Sequence, residues 1–172
     1  MRKTISVLAL CSLMLAAMVS CEKEQKEWVK LYGYTQDDIV GQYSYSQSPD
    51  AFASLLESEN AHLCSDAVVS IAATSEQNIT FGLSCPDHNF QRSFSGKPSL
   101  MSNAFLISMG SGWVGLKRYA LSATVLKNAQ NDIRLEGFVS ENQYERFYNA
   151  DEERYDTVLA NCVNYYFDVI KN

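Results

Sequence analysis

Both histidines of the chain stand beside cysteines, in His62-x-Cys64 and Cys85-x-x-His88. Two thiolates and two imidazoles brought to one point form a tetrahedral zinc set. In an oxidising compartment the same two thiols form a disulfide instead. Residues 67–85 read as a hairpin turning about Glu76-Gln77, which places Cys64 roughly opposite His88 and within reach of Cys85. The spacing is not that of a standard zinc finger. The expectation is therefore a Cys64–Cys85 disulfide, with zinc on His62, Cys64, Cys85 and His88 as the alternative, and pairing with Cys162 still open. Closing such a loop stabilises a fold by about 3 kcal/mol in the chain-entropy picture.

Little else in the chain has the spacing of a reaction site. Gly110-Ser-Gly112-Trp-Val-Gly115 spells G-x-G-x-x-G, but a dinucleotide site needs that motif to open a helix after a strand. Here the residues that follow, Leu116 to Leu126, alternate like a strand, so the stretch is read as a loop displaying Trp113. Trp113 and Tyr119 are the candidate ligand-binding aromatics. No histidine falls in a recognisable motif with a serine or cysteine nucleophile, and the carboxylates gather in an N-terminal run and around Glu141–Glu153, where a solvated face is the ordinary reading. The expectation is a protein that is not an enzyme and takes no cofactor.

The N-terminus carries an address. Arg2 and Lys3 precede an apolar run from Ile5 to Val19, which has the charged start and short apolar core of a secretory signal and is too short to span a bilayer comfortably. Met18-Val19-Ser20-Cys21 resembles the bacterial lipobox, with Met in place of the usual first-position Leu. That resemblance implies cleavage after residue 20 and acylation of Cys21, with the lipid bilayer as the first partner; more than one acyl chain gives stable anchoring. The charged run Glu22-Lys-Glu-Gln-Lys-Glu27 resembles the export signal of surface lipoproteins of the Bacteroidota type. The domain plan is then a signal peptide over 1–20, a lipidated tether over 21–34 and one globular domain over 35–172, held extracytoplasmically at the outer membrane.

Charge narrows the partners. Two of the 14 Lys and Arg lie in the leader and none of the 20 Asp and Glu does, so the processed chain has a net charge of −8. An acidic chain without a basic cluster excludes nucleic acid and recruitment by anionic lipid heads. Cys64, Cys85 and Cys162 remain once Cys11 is cleaved off and Cys21 is acylated.

The elements that must position these residues are mostly strands. Thr35-Gln-Asp-Asp38 looks like a capped turn leading to a strand over 39–45. Strands are further expected over 67–74, rich in Val, Ile and Ala, over 79–85, where Ile79, Phe81, Leu83 and Cys85 alternate with Thr80, Gly82 and Ser84, and over 90–94, 105–109, 119–126 and 133–139. Ser48-Pro49-Asp50 starts a helix over 49–59 by capping, by Pro at the first turn and by its acid at the positive end of the dipole. Tyr155, Val158, Leu159, Cys162, Val163, Tyr166 and Ile170 recur at helical steps, which predicts a C-terminal helix over 150–170. The rival is a strand through Val163–Val169, rich in β-branched and aromatic residues. The fold class is α+β, mainly antiparallel β: a curled sheet or barrel carrying both helices. Gly41-Gln-Tyr43 resembles the Gly-x-Trp opening of lipocalin-like (calycin) barrels, which implies an all-β barrel as the alternative.

The function expected is that of a membrane-anchored binding module for an apolar ligand, a glycan or another envelope protein. The alternative is an inhibitor or accessory subunit of an exported enzyme or envelope complex. A large dry cavity favours a small ligand, and a filled interior favours a protein partner.

Overall fold

In the computed structural model, which describes residues 27–46, 52, 59–98 and 106–172, the alternating segments join one ten-stranded sheet. The strands are β1 (Val29–Lys30), β2 (Gly41–Tyr45), β3 (Ala61–Leu63), β4 (Val68–Ala73) and β5 (Ile79–Cys85), followed by β6 (Phe90–Gly96), β7 (Leu106–Val114), β8 (Lys117–Lys127), β9 (Ile133–Asn149) and β10 (Arg154–Lys171). A short helix, α1 (Gln36–Ile39), precedes β2, and a single 3-10 turn over Pro86–His88 links β5 to β6. The order across the sheet is β8-β9-β10-β2-β4-β5-β6, with β1 and β7 both on the free side of β8 and β3 beside β10. Among the described strands, only the β3–β10 pair is parallel.

Period two explains the inner face. Ile79, Phe81, Leu83 and Cys85 of β5 are buried while the residues between them are not, and Tyr119, Leu121, Ala123 and Val125 do the same in β8. Curling the sheet brings these sets together: the Phe81 and Phe167 rings, from strands three apart in the sheet, lie 5.8 Å apart. Phe90 of β6 stacks on Tyr165 of β10 with centroids 3.8 Å apart. Gly137 permits the curl, because a Cβ there would overlap the Ser122 carbonyl and Ala123 of β8. Each fully buried Phe, Leu, Ile or Val on this face contributes roughly 1.5–3 kcal/mol of hydrophobic stabilisation. The sheet is mainly antiparallel and does not close: β6 and β7 face one another without a hydrogen-bonded ladder.

The start of α1 is set locally. The Thr35 N–H and hydroxyl both donate to Asp38 Oδ2 at 2.7 Å. Those bonds hold the Asp38 carboxyl below the ordinary carboxylate range.

Four expectations are corrected. The C-terminal helix over 150–170 is strand β10, paired along its length with β9. Its apolar residues satisfy both periods, and a ladder with β9 satisfies the backbone while turning Phe167 and Val169 into the core. The loop expected over 110–115 is the end of β7, with a register shift between Met109 and Gly112; the turn comes at Gly115, whose φ of 62° suits glycine. Within the segment expected as a tether over 21–34, Val29–Lys30 pairs with β8, and Leu31 and Tyr34 pack against the core. The closed calycin-type barrel gives way to the open curl. Of the helix expected over 49–59 only Phe52 and Glu59 are described, and the signal peptide and Cys21 lie outside the described residues. No helix among the described residues is long and apolar enough to cross a membrane.

Candidate functional site

Three groups of side chains collect the chemistry of the described chain. At the first, Cys64, just after β3, is joined to Cys85 at the end of β5 by a disulfide, with Cα atoms 5.2 Å apart. Both residues are fully buried. With both sulfurs in that bond, no thiolate remains there to ligate zinc. The two imidazoles are not aimed at the sulfurs either. His62 and His88 stack with centroids 4.6 Å apart, and His88 Nε2 donates to the Leu63 carbonyl at 3.0 Å. Asp87, beside them, accepts from the Ser65 N–H and hydroxyl at 2.9 and 2.8 Å. Partial burial would raise its carboxyl, but those bonds prevail and hold it below the ordinary range. The corner is a structural clasp joining β3, the 3-10 turn and β10. Cys162 is the free cysteine among the described residues and lies away from it on β10.

The second group spans one mouth of the curl. Arg92 of β6 donates to the Tyr119 hydroxyl at 2.8 Å, with its guanidinium 4.5 Å from the centre of the Tyr119 ring. Tyr119 in turn donates to Glu141 of β9, which also receives Lys117 Nζ at 2.6 Å. Burial alone would raise the Glu141 carboxyl, but the bonds from Lys117 and Tyr119 outweigh it and lower it. The bond to Glu141 raises the Lys117 ammonium correspondingly. This chain ties the two ends of the open sheet together by side chains where the backbone ladder is missing. Tyr119, expected at a ligand, is buried at 3% exposure inside it.

The third group is the end of the β9–β10 hairpin. β8 accompanies β9 only as far as Gln143, and β3 meets β10 only from Asn164. Beyond those points the two long strands project as a two-stranded ribbon, with no further strand on either edge among the described residues. Cross-strand partners share a face. One face carries Tyr144 opposite Leu159, Arg146 opposite Thr157, and Tyr148 opposite Tyr155. Trp113 of β7 continues it, 5.1 Å from Tyr144, and Tyr148 meets Tyr155 at 5.3 Å. Trp113, Tyr148, Tyr155 and Leu159 are each more than half exposed. The opposite face is more polar, pairing Glu145 with Val158 and Phe147 with Asp156.

Of the residues singled out in the sequence, Cys64, Cys85, His62 and His88 meet at one corner, whereas Trp113 and Tyr119 lie on opposite faces of the sheet. Sequence reasoning passed over Tyr144, Tyr148, Tyr155 and Leu159, assigned to a solvated stretch or a helix. The signal that finds them is Tyr144-x-Arg146-x-Tyr148 on one side of the Asn149–Glu153 turn and Tyr155 on the other. None of the three groups aligns a nucleophile with a base.

Comparison with protein-family models, with curated proteins and with solved structures finds no match to this chain.

Proposed function

We propose that this protein is an extracytoplasmic binding module, tethered to the bacterial outer membrane by acylated Cys21, that docks another envelope or exported protein on the aromatic face of its β9–β10 ribbon. The observation that carries this reading is the run of Trp113, Tyr144, Leu159, Tyr155 and Tyr148 along one projecting face. Isolated exposed apolar side chains are ordinary, but aromatics gathered on one projecting face, with Arg146 between them 5.6 Å from the Tyr155 ring, mark an interaction surface. Tyr and Trp give large contact area at low entropy cost. The filled interior favours a protein partner over an apolar ligand within the curl, since Tyr43, Phe81 and Phe167 occupy it. An inhibitor or accessory subunit would use the same ribbon, since such a partner is itself a protein.

The test places a photo-crosslinking residue at Tyr155 and, as control, at the exposed Gln91 on the far part of the sheet. On intact cells a discrete adduct is expected from position 155 only, and it should disappear with Trp113→Ser and Tyr148→Ser. Equal adducts from both positions, or indifference to those substitutions, would overturn the reading. Palmitate labelling separates the anchor from the docking surface: Cys21→Ser should abolish it, and equal labelling would remove the lipoprotein part of the proposal.

A further inference from the structure

We propose a second binding site, independent of the ribbon, that takes an alkylammonium group on the outer face of the sheet where β8, β9 and β10 run side by side. Phe138 and Tyr166 are cross-strand partners with ring centroids 5.6 Å apart, and the Phe52 ring lies 5.2 Å from Tyr166. These three rings wall an open cavity of about 230 Å3. Its other side is Glu136 with its cross-strand partner Thr124, and Ser122 beside Phe138.

Among the described residues the charges behind the cavity do not balance. Arg134 donates to both oxygens of the fully buried Asp168, and its Nη2 is also 3.0 Å from Glu136 Oε1. One guanidinium thus serves two carboxylates, and no second cation pairs with either among the described residues. Trp28, over Arg134 at 5.6 Å, shields the far side. A half-buried excess negative charge is unfavourable unless a cation completes it. Burial, reinforced by Asp168, accordingly raises the Glu136 carboxyl despite Arg134.

The cavity has the complementary chemistry for such a cation. Aromatic rings attract a positive charge through their negative faces and offer apolar surface to an alkyl chain. The Ser122 and Thr124 hydroxyls and the Glu136 carboxylate are acceptors for N–H groups, while the acidic surroundings disfavour an anion. A primary ammonium on a short alkyl chain, as in a free amine or the end of a lysine side chain, matches in size and charge.

Titration calorimetry on the full chain tests this with butylammonium, 1-butanol and butyrate as probes. Saturable binding of butylammonium is expected, with butanol and butyrate weaker by about tenfold or more. Glu136→Gln should remove the preference for butylammonium over butanol, and Phe138→Leu should weaken butylammonium about tenfold with the melting temperature kept as a check on folding. Thr124→Val provides a second variant in the same wall. Equal binding of butylammonium and butanol, or butylammonium binding unmoved by both Glu136→Gln and Phe138→Leu, would overturn the proposal. Tighter binding of N-acetyl-lysine methylamide than of butylammonium assigns the site to a protein side chain, and the reverse order to a free amine.

Discussion

Arg134 grips the Asp168 carboxylate on the outer face of the sheet, Nε to Oδ1 at 2.7 Å and Nη2 to Oδ2 at 2.5 Å, with Asp168 wholly removed from solvent. The two residues lie two positions out of register across β9 and β10, since Arg134 pairs with Ile170 and Glu136 with Asp168. The guanidinium therefore reaches diagonally along the ladder and fastens the ends of both strands near β2.

Removing Arg134 leaves the buried Asp168 carboxylate without its cation, which costs about 3–5 kcal/mol. Arg134→Met is expected to lose an amount in that range in urea unfolding. The double variant Arg134→Met/Asp168→Leu should recover most of the loss, because replacing both charges with apolar groups removes the desolvation cost as well. A double variant as unstable as the single one would show that the pair is worth more than the cost of burying it.

β10 carries a distinctive substitution pattern. Phe167→Asp places an unpaired charge in the core and should destabilise strongly, by about 3 kcal/mol or more, and Tyr165→Asp should also destabilise by breaking the stack on Phe90. Leu159→Asp, on the exposed ribbon, should stay within about 0.5 kcal/mol of the parent. Thermal unfolding of the three variants checks the strand directly, because a C-terminal helix would make Leu159 the sensitive position.

Two carboxylates of β9 should respond oppositely to pH. Glu141 is lowered in the folded protein, so its contribution is complete above the ordinary Glu value of about 4.3 and is lost as pH falls through the lowered folded value. Glu136 is raised, so its ionised form costs stability above the raised value, and the cost vanishes below the ordinary one. At pH 7, Glu141→Gln should therefore destabilise, by up to about 1 kcal/mol because Lys117 is partly exposed, while Glu136→Gln should be neutral or slightly stabilising. Melting temperatures measured down to pH 3 should show both differences closing. A Glu136→Gln protein less stable than its parent at pH 7 would contradict the sign.

Strand β5 is legible in the sequence, because one buried face and one solvated face force strict alternation on Ile79, Phe81, Leu83 and Cys85. The turn before it, about Glu76-Gln77, and the proximity of Cys64 to Cys85 followed from reading residues 67–85 as a hairpin. The capping residues Thr35 and Asp38 likewise carry their own geometry, since both partners lie within one turn. β10 was not legible in the same way. Tyr155, Leu159, Cys162, Val163 and Tyr166 fit a helix as well as a strand, and only β9, a partner closed by a tight turn, decides between them.

The sequence by itself determined the strand-rich class, the buried face of β5, the acidic charge, and the lipobox-like stretch at Cys21, because each is written in neighbouring residues. Tertiary structure alone decided what stands opposite what. It left the edges of β6 and β7 unjoined, set Arg92 against Tyr119, and placed Trp113 beside Tyr144. It also gathered Phe52, Glu136, Phe138 and Tyr166 around one cavity. Those relationships depend on register and curl, which are set by packing between segments far apart in the chain, where a local pattern carries no information.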